Sequence, residues 1–367
     1  MNRSSFSNSN AMILSLKEWV VTLVLVVLIS GIIYYGWSSW EIFNPGPDYR
    51  ETCWAEKMTD YWAHSRWSRY AAQSNYKVFL IGDSVIWGQE VNNDQTISHF
   101  LNEHYGEEIF ANLGMDALFP TAFPGLIKFY GKSYSNVIIQ FNPHWFEDVN
   151  IDLQGNRKRF YHPRLVTQFD SRIHYNDYSL NERLGYKVEN YIGIFSLVHH
   201  IMANYYDNKS ISTWMNDNPY RNPFTAITFQ AAPIMAKSQG KGIDWKKKRQ
   251  RITNFPFVVL SESIQWKYFL EAIDILQKRN VPCFVLLGPY NTYMLTPESR
   301  ENLHALIDDV KKRLDIHRAP YFDTTSGFLP SETFADACHL LGDGHELLAR
   351  ILLKDASFEE WLANLRD

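Results

Sequence analysis

The sequence predicts an α/β domain of three layers, a parallel sheet with helices on both faces, preceded by one transmembrane helix. Three observations carry this. An uncharged apolar run lies near the amino terminus. Short apolar strands alternate with amphipathic helical stretches, and polar motifs follow the first and last of those strands. The implied plan is a leader at 1–19, an anchor at 20–37, a connecting segment at 38–76, and a domain at 77–367 with an insertion at about 150–256.

The anchor comes first. Val20 to Trp37 contains no charged residue, and as a helix it spans about 27 Å, close to one bilayer core. Arg3 and Lys17 precede it, whereas Glu41 and Asp48 follow before Arg50. The positive-inside rule places the amino terminus in the cytoplasm and the rest of the chain outside. Tyr34, Tyr35, Trp37 and Trp40 make an aromatic belt at the outer end. Cleavage as a signal peptide is disfavoured, since Ser30-Gly31, a poor cleavage site, falls inside the apolar run. A buried core helix is disfavoured by the polar Ser/Asn-rich leader beside it.

After a break at Asn44 to Asp48, a polar and aromatic connecting segment runs to about Ser74. Lys77 to Ile81 then reads as a buried parallel strand. Gln95 to His104 reads as a helix, Glu108 to Leu113 as a strand, Gly125 to Tyr130 as a helix, and Asn136 to Phe141 as a strand. The rhythm resumes downstream with helix Ser261 to Arg279, strand Pro282 to Leu287 and helix Glu298 to Leu314. Strand Pro320 to Phe322 and helix Gly344 to Lys354 close it. Between Asn150 and Pro256 it stops, and this stretch reads as helices and loops, with Tyr191 to Tyr205 helical. Insertions of this length serve as lids, binding elements or docking surfaces.

Composition narrows the function classes. A net charge of −4 gives no reason to expect nucleic-acid binding. Three scattered cysteines, Cys53, Cys283 and Cys338, form neither a metal-ligand spacing nor a disulfide framework. The 15% aromatic share suits a carbohydrate-facing surface and a thick core equally.

Two motifs carry chemistry. Ser84, in IGDSVIWG, follows the first strand and stands at the carboxyl edge of the sheet, where open α/β folds place their sites. Its plainer role is to cap a helix together with Asp83. Asp336 and His339, in DACHLLGDGHELLA, precede the last helix. A serine nucleophile needs a histidine to take its proton and a carboxylate to orient that histidine. Asp343 and His345 are alternatives in the same stretch.

The paired motifs resemble the SGNH (GDSL-type) hydrolases and acyltransferases, whose first block is Gly-Asp-Ser and whose last is Asp-x-x-His. The resemblance implies a flavodoxin-like sheet, a Ser84–His339–Asp336 triad, and no metal or organic cofactor. It also implies an oxyanion hole from Ser84, Gly114 (in ANLGMD) and Asn142 (in IIQFNPHWF). The usual Gly-x-Asn-Asp block is altered: Gln140 and Phe141 precede Asn142, and Pro143 follows it, as in a strand-ending Asn-Pro turn. FNPHWF and WKYFLEAIDILQKRNVPCFVLLGPYNTYM are similar to segments of the DltD family, membrane-anchored proteins of teichoic-acid D-alanylation. That family shows Gly-Ser-Ser where this chain has Gly-Asp-Ser.

The layout implies transfer of an acyl group to hydroxyls of an envelope polysaccharide or teichoic-type polymer, beside a multi-spanning membrane acyltransferase. A carbohydrate or lipid esterase using water, and a non-catalytic scaffold subunit, are alternatives on the same fold. The remaining features read as ordinary. The run Lys246, Lys247, Lys248, Arg249 and Arg251 is a solvated basic face or a phosphate contact. His199 and His200 read as structural, Asn208-Lys209-Ser210 as a chance sequon, and Cys338 as a packing residue.

Overall fold

Short runs of Val, Ile, Leu and Phe with no polar alternation are strands that must be covered on both faces. The computed structural model describes residues 15–50, 60–153, 161–171, 173, 178–230 and 252–364. In it β1 (Val78–Ile81), β2 (Phe110–Asn112), β3 (Val137–Phe141), β4 (Cys283–Leu287) and β5 (Tyr321–Asp323) form one parallel sheet of order β2-β1-β3-β4-β5. Every residue of β1, β2, β3 and β4 is buried. Alternate residues enter separate apolar clusters: Phe79, Ile139 and Val285 one, Leu80, Ile138 and Leu286 the other.

In chain order the helices begin with α1 (Leu16–Trp40), α2 (Tyr61–Gln73), α3 (Ser84–Trp87), α4 (Ile97–Tyr105), α5 (Phe123–Tyr130) and α6 (Val149–Asp152). The insertion carries α7 (Leu180–Tyr191), α8 (Gly193–Tyr205), α9 (Ile211–Asp217) and α10 (Pro223–Ala226). Then come α11 (Ile264–Lys278), α12 (Pro297–Ile316), α13 (Gly342–Leu352) and α14 (Ala356–Ala363). Residues of α5, α11 and α12 join the cluster containing Phe79, and those of α4, α13 and α14 join the cluster containing Leu80.

Helix α1 is long and apolar enough to cross a membrane and starts at a capping box between Ser15 and Glu18. Its last turns are not free. Trp37 is buried in a third cluster with Trp62, Leu197 and Tyr205. Helix α2 lies where the sequence suggests only a connecting segment. Its Tyr61, Trp67 and Ala71 sit in the main core. The leader to residue 14, Cys53 and the basic run 246–251 lie outside the described residues.

Candidate active site

The carboxyl ends of β1, β2 and β3 lie side by side, and the strand order reverses at β1, the position where such sheets hold their ligands. Gly82 follows β1 closely packed, since a Cβ there would stand 2.6 Å from Gln140 Oε1. Asp83 then caps α3, its Oδ1 accepting the Val85 N–H at 2.9 Å. The capping role is therefore real, and it belongs to Asp83. Ser84 is left as the first residue of α3, where no carbonyl of the helix can take its N–H.

The nucleophile, base and carboxylate that the sequence suggests are brought together. Ser84 Oγ lies 2.7 Å from His339 Nε2, and His339 Nδ1 lies 2.7 Å from Asp336 Oδ2. With its proton on Nδ1, His339 donates to Asp336 and accepts from Ser84. The other Asp336 oxygen accepts the N–H groups of His339 at 2.9 Å and Cys338 at 3.0 Å. The loop is pinched shut by a Phe334–Leu340 bridge and by the Ala335 N–H on His339 O at 2.9 Å. Asn291, beyond β4, supports it by donating its backbone N–H to Ala337 O at 2.7 Å.

Electrostatics follow this geometry. Burial alone would raise Asp336, but the hydrogen bonds from His339 and the backbone outweigh it and hold the carboxyl at about 2. Burial alone would lower His339, but the Asp336 carboxylate on its Nδ1 holds the imidazole above the ordinary histidine range. Burial keeps Cys338 a thiol, its sulfur 4.0 Å from His339 Nδ1. The alternative base, His345, is fully buried with an unpartnered Nδ1, and burial drives it to about 3. Asp343 only accepts the Gly344 N–H.

The two other residues expected around the oxyanion are both engaged. The Gly114 N–H donates to Asn112 Oδ1 at 3.0 Å. This position must be glycine, because a Cβ would run into the Trp87 backbone. Asn142 is buried at the end of β3, and its Nδ2 donates one N–H to Asp83 Oδ2 at 2.7 Å. Its Oδ1 accepts the His144 N–H at 3.0 Å.

Three residues of this neighbourhood have partners that a motif reading does not give. Asp83, whose carboxyl burial raises, is clamped by Asn142 and by Trp145 Nε1 at 2.7 Å. Gln140 ties two strand ends together, accepting the Asp83 N–H at 3.3 Å and donating to Gly288 O at 3.1 Å. Glu147 gathers Tyr290 OH and His144 Nδ1, the latter at 2.9 Å. The polar density of Gln140 to Glu147 at a strand end could have signalled the last two, and Asp83 was visible in its motif only as a helix cap.

A metal has one conceivable seat among the described residues. Asp336, Cys338 and His339 present ligand atoms within 4.8 Å of one another. Two of those atoms already share the Asp336–His339 hydrogen bond, so an ion would have to break the triad to bind.

Comparison with known proteins adds no relationship. No model of a known protein family matches the chain, and no curated protein matches it either.

Proposed function

We propose that the chain is a membrane-anchored serine acyltransferase of the SGNH type, with its three-layer α/β domain outside the cell and an acyl-Ser84 intermediate. The observation that carries this reading is the unbroken relay from Ser84 Oγ through His339 to Asp336, with both contacts at 2.7 Å.

In the first half-reaction His339 Nε2 takes the Ser84 proton as Oγ attacks an ester or thioester carbonyl. The resulting imidazolium is stabilised by Asp336, whose depressed pKa keeps it anionic. Collapse of the tetrahedral adduct expels the donor's alcohol or thiol, protonated by His339, and leaves the acyl-serine. In the second half, His339 deprotonates a hydroxyl of an envelope polysaccharide or teichoic-type polymer, which takes the acyl group and frees Ser84.

The negative oxygen of each adduct needs donors. The Ser84 N–H at the start of α3 and the second Asn142 N–H are the ones we assign. The Gly114 N–H joins them only if it leaves Asn112 when substrate binds. A neighbouring multi-spanning acyltransferase fits a donor arriving through the membrane, and lipid surrounds α1.

The test is covalent labelling of the full chain in membranes by a fluorophosphonate. Labelling is expected on Ser84, lost in Ser84→Ala and in His339→Ala, with thermal unfolding unchanged. A folded wild-type chain that resists the probe would favour a scaffold subunit. Labelled protein that hydrolyses acyl donors but never passes the acyl group to a polymer would favour an esterase.

A further inference from the structure

Depth along α1 can be measured from Lys17, the last cation before the apolar run. Tyr34 lies 17 residues further on, about 26 Å along the helix axis. A hydrocarbon core is about 30 Å thick, so Tyr34 stands where the acyl chains give way to headgroups.

The insertion packs against α1 at this level. Gly193, the first residue of α8, lies so close to Tyr34 that an added Cβ would run into its ring. Ile194 and Leu197 share a cluster with Ile33, Tyr34 and Trp37. Beyond this contact, α8 is held to the exit of α1 by a buried ion cluster. His200 sits between Glu41 at 2.8 Å and Asp60 at 2.6 Å, and Arg66 meets Glu41 at 2.7 Å. Glu41 lies about 10 Å above Tyr34 along the same axis, at headgroup height. The histidine read as structural is thus the centre of a clasp.

The residues flanking Gly193 share its depth, and those turned away from α1 are large, apolar and bare. Tyr191 is 66% exposed, Ile192 47%, Phe195 40% and Val198 43%. Along α7, Leu184 and Val188 extend the stripe at helical spacing. Large apolar side chains this exposed, next to the end of an apolar helix, mark a surface that meets lipid or a partner.

We propose that the α7–α8 corner is embedded in the outer lipid interface as a second membrane contact. Its occupant is the bilayer, because the face is continuous with the outer end of the spanning helix. This rests on reading α1 as a span. Two attachments in place of one fix the tilt of the domain, so the carboxyl edge of the sheet keeps a set height over the membrane and does not swing on a tether.

Nitroxide labels on the full chain in phosphatidylcholine–phosphatidylglycerol vesicles test this. The background is Cys53→Ser, since Cys283 and Cys338 are buried. Labels at Ile192→Cys and Phe195→Cys are compared with Ile32→Cys on α1 and Ile316→Cys at the end of α12, both exposed positions. Relaxation by oxygen reports lipid, and relaxation by a nickel chelate reports water. Ile192 and Phe195 should match Ile32, with an oxygen-to-nickel ratio about tenfold above that of Ile316. If Ile32 reads lipid while Ile192 and Phe195 read water, the span stands and the second contact falls, leaving that face to a protein partner. If Ile32 itself reads water, the span and the inference fall together.

Discussion

In the proposed mechanism His339 takes the Ser84 proton only while it is neutral, and Asp336 beside it holds its pKa up. Turnover of a chromogenic ester should therefore rise with pH, with a midpoint alkaline of about 6.5, the ordinary histidine value. Asp336→Asn removes one of the raising partners. The midpoint should move acid and the rate fall by roughly 10⁴, as loss of the orienting carboxylate does in a serine protease. An unshifted midpoint would mean that Asp336 does not govern this base. Asn142 poses a separate question, because it clamps Asp83 and is also assigned to the proposed oxyanion. Trp145 donates to the same Asp83 oxygen. Asn142→Ala should lower turnover about a hundredfold with little change in KM, as loss of one oxyanion donor does. Trp145→Phe removes only a clamp and should cost far less. Equal losses in the two variants would reassign Asn142 to holding Asp83.

Among the elements, the contact between α3 and the loop after β2 sets where the serine stands. Gly114 lies against the Trp87 backbone, which cannot yield as a side chain would. Gly114→Ala should destabilise the fold by about 1–3 kcal/mol, the usual cost of overpacking, and displace α3. Thermal unfolding and fluorophosphonate labelling read both effects; a variant with wild-type melting and labelling would show that the loop can move. Strands β1, β3 and β4 were legible because a strand buried on both faces reads as a nearly continuous apolar run, with Gln140 the one polar residue among them. Helix α2 was not. Its buried stripe of Tyr61, His64, Ser68 and Ala71 has helical spacing but little hydrophobicity, and only its neighbours make it a core face. Phe110–Asn112 is shorter than the expected strand that contains it, and Tyr321–Asp323 is shifted by one residue, because β-propensity marks no sharp end.

For the whole molecule, the C-terminal end of α1 and the α/β domain form one packed unit. Trp37 belongs to a cluster with Trp62, Leu197 and Tyr205, and Glu41 bonds His200. A chain shortened to begin at Ile33 keeps these contacts and should melt close to the full chain in detergent. One beginning at Ile42 loses both residues, opening a cavity in the cluster and leaving His200 with Asp60 alone; its melting temperature should fall by several degrees or more. Equal melting of the two would make α1 a simple tether.

An uncharged helix of bilayer length, apolar strands separated by helical spacing, and a serine, aspartate and histidine after the first and last strands are local patterns. Each is written in consecutive residues, so the long apolar helix, the α/β class and the triad candidates could be read without coordinates. The clamp of Asn142 on Asp83 and the Glu41–His200–Asp60 clasp join residues far apart in the chain. Hydrogen-bond partners over such separations are chosen by how the strand ends and helices pack. A buried polar group must find a partner, but which partner it finds is a property of the packed fold.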